Sequence, residues 1–168
     1  MSYGSYVLKQ LYRIQESDIT PLLDAKSEVD PLAGIIIVKL DIKPIVGDLE
    51  QLYDFYAARV LPKTQTNPGY VNPHYHSLGF EPYLFFSGIG EMNRGNFTID
   101  TVIWTKREEV RDGDLVQIAG GEVHSFRNTA TRDPADFIFA CPATHLCETD
   151  RYFTKDLKDG IPPWYPKV

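Results

Sequence analysis

Glycine and asparagine breaks punctuate residues 67–121 between short β-branched and aromatic runs, and this pattern restricts the fold more than any other feature. The breaks are Asn67-Pro68-Gly69, Gly88-Ile89-Gly90, Asn93-Arg94-Gly95, Arg111-Asp112-Gly113 and Gly120-Gly121. Strand-sized runs rich in β-branched and aromatic residues lie among and after them, at 83–86, 97–104, 114–118, 123–127 and 137–140. Upstream, 35–42 is a β-branched run closed by Lys43-Pro44, and 52–61 is an apolar, aromatic run closed by Pro62. Short strands with turn residues between them predict an all-β sandwich or barrel.

The flanks read differently. Residues 1–30 form an N-terminal arm with at most one capped helical turn, with Asp18 or Thr20 as the cap and Pro21 in the first helical position. Tyr3, Tyr6, Val7, Leu8, Leu11, Tyr12 and Ile14 are more apolar than a free tail should be, which predicts an arm packed across a partner barrel in a homodimer. Residues 31–149 make the barrel. Residues 150–168 make a tail whose Pro162-Pro163-Trp164-Tyr165-Pro166 is too proline-rich for a central strand and is expected to lay its aromatics on the outside. No repeat or second domain is visible.

A net charge of −6 and a pI near 5.2 argue against a general binder of nucleic acid or anionic membrane, since both need a basic surface. No apolar run reaches the roughly 20 residues of a membrane span. The first residues lack the pattern of a secretory signal. Cys141 and Cys147 are too few for a disulfide framework and are expected to be reduced thiols in or near a strand. The expected compartment is the cytoplasm.

Three of the four histidines fall into two spaced motifs. In His74-Tyr75-His76, alternation along a strand turns both imidazoles to one face. Glu81 follows a short turn containing Gly79 and can aim at the same point. In the second motif, 113–118 leads to the Gly120-Gly121 turn, and His124 opens the returning strand. Three imidazoles and a carboxylate suit one divalent transition metal such as Fe, Mn, Co, Ni or Zn. Four protein ligands on an octahedral ion leave two positions for substrate, water or dioxygen.

These motifs resemble those of the cupins. Gly69-x4-His74-x-His76-x4-Glu81-x6-Gly88 is similar to the first cupin motif, one residue off in its leading glycine spacing. Gly113-x5-Ala119-Gly120-Gly121-x2-His124-x3-Asn128 is similar to the second, with Ala119 where proline is common. The resemblance implies a double-stranded β-helix (jelly-roll) barrel, usually dimeric, with the metal inside. Glu81-Pro82-Tyr83, Gly88-Ile89-Gly90-Glu91-Met92 and the run from Asp136 to Pro142 further resemble the cupin-type glucose-6-phosphate isomerases of archaea. That likeness implies that Tyr83 lines the substrate site and that His145 lies near it. The segment before His74 and the region after Pro142 depart from that family, so its phosphate site does not carry over.

Counting by two from the ligands turns Tyr83, Phe85, Phe126 and Asn128 inward, an aromatic wall with few polar groups. In 52–61 either face could be the inner one. The candidate catalytic residues are therefore Glu81, Tyr83 and His145, the last as a proton shuttle at the barrel mouth. Arg59, Phe85, Phe126 and Asn128 are the candidate substrate contacts, Arg59 for an anionic group. The chemistry leans to a redox-neutral isomerase or lyase acting through a metal-polarised carbonyl or hydroxyl. An Fe(II)-dependent dioxygenase with the same 3-His/1-Glu site and a non-catalytic small-ligand binder are the alternatives.

Overall fold

A computed structural model describes residues 3–30, 34–46, 52–146 and 150–166, with side chains from Tyr6 onward. Two helices, α1 (Tyr3–Leu11) and α2 (Glu16–Ala25), precede the strands β1 (Ile36–Lys39), β2 (Ile45–Val46), β3 (Leu52–Val60), β4 (His74–Tyr75) and β5 (Phe80–Ser87). Next come β6 (Ile89–Thr98), β7 (Thr101–Arg111), β8 (Leu115–Ala119), β9 (Glu122–Asn128) and β10 (Ala135–Pro142). A 3-10 turn (Ala143–Leu146) and β11 (Tyr152–Phe153) complete the described elements. The run at 97–104 is two strands, because Ile99 and Asp100 make the turn of the long β6–β7 hairpin.

Among the described residues one sheet has the order β1-β3-β10-β5-β8, with β2 also on β3, and the other runs β11-β4-β9-β6-β7. The strand pairs are antiparallel throughout. Apolar side chains between the sheets form the barrel interior, with Tyr56, Ala58 and Val60 of β3, Tyr83 and Phe85 of β5, Phe126 of β9, and Phe137, Phe139 and Cys141 of β10. Two helices cover the other face of the first sheet. Val7, Leu11, Ile14, Ile19 and Leu23 pack with Tyr53, Phe55, Ala57, Leu84, Ile138 and Ala140. β10 is consequently buried at every position, which explains why its sequence is apolar without alternation.

This second core corrects the reading of the N-terminal arm. Val7, Leu8, Leu11 and Ile14 pack on the chain's own β3 and β10, whereas Tyr6 and Tyr12 stay exposed. Helix α2 also starts a turn earlier than predicted. The Asp18 carboxylate accepts from the Gln15 backbone N–H at 2.8 Å, which places Asp18 in the first turn and Pro21 inside the helix.

Beyond β10 the chain returns to the second sheet. β11 pairs with β4, matching Tyr152 to Tyr75 and Phe153 to His74. The Thr154 backbone N–H donates to the Pro73 carbonyl at 3.0 Å. Further on, Tyr165 is buried against Tyr70, with ring centroids 4.6 Å apart, and its hydroxyl lies 2.9 Å from Ser125 Oγ. Trp164 Nε1–H donates to Asn93 Oδ1 at 2.8 Å. Cys141 is buried in β10, and Cys147 lies outside the described residues. No helix among the described residues is long and apolar enough to cross a membrane.

Candidate metal centre

His74 sits in β4 directly opposite His124 of β9, and their ring centroids are 4.4 Å apart. Glu81 approaches from β5, which lies between β10 and β8 in the facing sheet. β4 ends at Tyr75, so His76 is held by contacts and not by strand pairing. Its carbonyl accepts from the Gly121 N–H at 2.6 Å. Gly121 takes φ +80°, a conformation that suits glycine, and a Cβ on Gly120 would lie 2.8 Å from the Gly79 carbonyl oxygen. The two glycines thus let the turn of the second motif dock on the loop of the first.

One potential ligand atom from each of His74, His76, Glu81 and His124 lies within 4.8 Å of the other three, and all four residues are buried. Backbone carbonyls orient the rings. His74 Nδ1 lies 2.8 Å from the Asn72 carbonyl, His76 Nδ1 2.5 Å from that of Asp150, and His124 Nδ1 3.1 Å from that of Glu122. A carbonyl only accepts, so each Nδ1 carries the proton and Nε2 is left as the potential ligand atom. Nε2 of His76 and of His124 lie 3.5 and 3.3 Å from Glu81 Oε2. Both His76 Nε2 and Glu81 Oε2 are buried without a hydrogen-bond partner among the described residues, an arrangement a bound cation would satisfy.

Burial holds the His74 imidazole well below its ordinary range, and the like charges of His124 and His76 add to this. The His76 imidazole is lowered to about 4, mainly by burial, against the pull of Glu81. Burial alone would raise the Glu81 carboxyl, but the facing His76 and His124 outweigh it and hold the group below the carboxylate range. At neutral pH the His74 and His76 imidazoles are therefore neutral beside an ionised Glu81, the state in which these groups ligate metals. In the chelated protein this has a measurable consequence. The unfolded chain takes up protons on these groups before the folded chain does, so stability is full above the ordinary histidine value of 6.5 and falls as pH drops toward about 4. His76 alone is expected to remove roughly 3 kcal/mol across that window. Urea midpoints of metal-free protein between pH 7 and 4 measure it, and a midpoint independent of pH would contradict it.

Tyr83, next inward from Glu81 on β5, places its hydroxyl 3.2 Å from His124 Nε2. Burial raises this phenol well above its ordinary range, and the charge of Glu81 adds to that. Tyr83, Glu81 and His74 line a small pocket of about 30 Å³. Its apolar walls are Ile35, Ile37, Val71, Phe137, Phe139 and Leu146, and Arg151 stands in its lining.

Four predicted contacts belong elsewhere. Arg59 lies on the helix side of β3, where Nε and Nη2 each donate at 2.8 Å to the two Asp136 oxygens and Nη1 reaches Asp24 at 2.7 Å. β3 is buried on both faces, so alternation alone did not reveal the inner side. Phe85 and Phe126 do point inward, but they pack on each other at 5.0 Å and on Phe137, and fill the barrel outside the pocket. Asn128 pins a loop, its Nδ2 donating to the Val60 and Asp133 carbonyls at 2.9 Å and its Oδ1 accepting from the Ala130 N–H.

His145 is buried and not at a barrel mouth. Its ring stacks on His76 at 3.9 Å, with the planes 1° apart. Its Nε2–H donates to the Leu78 carbonyl at 2.6 Å, which leaves Nδ1 without a hydrogen-bond partner among the described residues. It is absent from the pocket lining, yet one of its ring nitrogens lies within 4.8 Å of potential ligand atoms of Glu81 and Cys141, so it adjoins the cluster directly as well as through the His76 ring. Sequence reasoning missed Asp150 and Arg151, which belong to no spaced motif. The Asp150 carboxylate accepts from both the backbone N–H and the hydroxyl of Ser77 at 2.8 Å.

No family model matches the chain, and no curated protein matches it. Solved structures do. A cupin 2 conserved barrel domain protein from Salinispora arenicola is 15% identical over 70% of this chain and 81% of its own, with a TM-score of 0.50. CapF, solved with the inhibitor 3-isopropenyl-tropolone, is 19% identical over 78% of this chain and 33% of its own, with a TM-score of 0.54. An oxalate oxidase in complex with the substrate analogue glycolate is 18% identical over 69% of this chain and 55% of its own, with a TM-score of 0.49.

Proposed function

We propose that this chain, whose fold is the double-stranded β-helix of the cupins, is a mononuclear metal enzyme performing redox-neutral isomerase or lyase chemistry on a small oxygenated substrate. One observation carries the reading: four buried ligand atoms converge within 4.8 Å beside a tyrosine hydroxyl in an otherwise apolar pocket. His74, His76, Glu81 and His124 would hold the ion, whether Fe, Mn, Co, Ni or Zn. Bound there, a divalent ion supplies Lewis acidity, which polarises a carbonyl or hydroxyl oxygen of the substrate.

The protein's own groups do the rest. Glu81 places a negative charge among neutral imidazoles and offsets part of the cation's charge. Tyr83 keeps its proton at Oη, because burial disfavours the phenolate, and so acts as a donor to a substrate oxygen on which charge develops. The apolar wall keeps water away from the reacting carbon atoms. His145, stacked behind His76, holds that ligand's plane and is a positioning residue.

The test begins with metal analysis of protein purified without chelator or metal column, followed by substrate screening with that ion. Tyr83→Phe is expected to lower kcat by roughly 100-fold or more with metal content unchanged. Unchanged turnover would remove Tyr83 from the mechanism. The dryness of the pocket favours one second reading, an Fe(II)-dependent dioxygenase. Substrate-dependent oxygen uptake with Fe(II), absent with Mn(II) or Zn(II), would establish that chemistry instead. Tight small-molecule binding with no turnover under any ion would leave a binding protein.

A further inference from the structure

We infer that Arg151 is a specificity-determining residue that recognises the carboxylate of a small acid whose second oxygen faces the metal ligands; this rests on the metal-centre reading. Arg151 lines the same pocket as His74, Glu81 and Tyr83, amid walls that are otherwise apolar. It is half-buried, and it makes no salt bridge among the described residues. Most of the protein's other half-buried arginines behave differently: Arg59, Arg94 and Arg127 are each engaged by carboxylates. What Arg151 has is an aromatic face, its guanidinium carbon lying 5.2 Å from the centroid of Phe153. That ring is in turn 5.7 Å from the ring of His74. Phe153 therefore sets the guanidinium at a fixed remove from the ligand cluster, and among the described residues no carboxylate engages its N–H fork.

The carboxylate nearest in sequence does not neutralise it. Asp150 turns the other way, with Oδ1 on Ser77 and Oδ2 3.6 Å from His145 Nε2. Glu81 is committed among the histidines. With an ion in place the pocket is net positive, although the chain as a whole carries −6. A planar fork facing a small, walled pocket matches a carboxylate in bidentate geometry. Anchoring the carboxylate at Arg151 would direct the substrate's other oxygen toward the metal ligands and Tyr83, which fixes which oxygen reacts.

The experiment titrates Co(II)-loaded protein with lactate and with propane-1,2-diol, its analogue lacking the carboxylate. Calorimetry reads affinity and the visible cobalt spectrum reads approach to the metal. Wild type is expected to bind lactate more tightly than the diol and to change its spectrum. Arg151→Gln should weaken lactate roughly 10- to 100-fold and leave the diol unaffected. Arg151→Lys should fall between, because an ammonium keeps the charge but loses the fork. Cobalt content should be equal in all three proteins. Equal affinity of wild type for acid and diol, or unaltered lactate binding in Arg151→Gln, overturns the assignment. Lower cobalt uptake by Arg151→Gln also overturns it, since the arginine would then be maintaining the centre and not reading the ligand. Failure of wild type to take up cobalt instead defeats the metal-centre reading. The same titration without metal then decides Arg151: a lactate isotherm lost in Arg151→Gln supports it, and no isotherm in wild type overturns it.

Discussion

Alanine at His124 is expected to abolish stoichiometric metal binding while the barrel remains folded. His124 is buried, stands opposite His74 in the β4–β9 pair, and aims Nε2 at Glu81 from 3.3 Å. Loss of a group that only supports a ligand commonly costs 10- to 100-fold in metal affinity. Loss of the ligand itself should exceed roughly 100-fold. The remaining two imidazoles and carboxylate come from β4, its trailing loop and β5, and nothing from β9 would close the set. Strand pairing is a separate matter, since β9 is held to β6 by backbone bonds over seven residue pairs. The measurement is thermal unfolding with and without excess Mn(II) or Zn(II), alongside circular dichroism. Wild type gains stability by mass action as metal binds the folded state. His124→Ala should keep its β-sheet spectrum and show no metal-dependent rise in Tm. A rise equal to that of wild type would mean the ion binds elsewhere.

Phe137→Ala should be among the most destabilising single changes in the protein. The ring is 1% exposed and lies between 5.1 and 6.3 Å, centroid to centroid, from Tyr83, Phe85, Phe126 and Phe139. Its strand is buried on both sides, by the barrel interior and by the helices, so neighbouring backbone cannot readily move in to fill the space. Truncating such a ring costs about 3–5 kcal/mol. In a chain of this size that lowers Tm by roughly 10 °C. Ile103→Ala, at a side chain 54% exposed on β7, is the control and should change stability by less than about 0.5 kcal/mol. Equal effects at the two positions would mean that the aromatic cluster is not the mechanical centre of the barrel.

The β-barrel and the convergence of His74, His76, Glu81 and His124 were legible because both rest on local rules. Turn residues mark strand ends, and alternation with a glycine turn orients His74, His76 and His124. Three things escaped for physical reasons. Strands buried on both faces carry no polar stripe, so β3 did not disclose that Arg59 turns outward. Alternation gives direction and not depth, so Phe85 and Phe126 were placed inside correctly but counted as pocket walls. Spacing rules also stop at segments with no period, and residues 150–154 have none. Their contribution depends on pairing with β4, which the sequence does not advertise. The N-terminal residues were legible only as an apolar stripe, which signals that something will be covered without saying by which surface.

Residues 150–154 have a consequence for the order in which the site is assembled. All the ligands have been translated by residue 124, yet the carbonyl that orients His76 belongs to Asp150, and β4 gains its edge partner only with Tyr152 and Phe153. A nascent chain still short of these residues can pair β4 with β9 but leaves one imidazole free to turn. The geometry of the candidate centre thus depends on a segment that lies about 25 residues downstream of its last histidine.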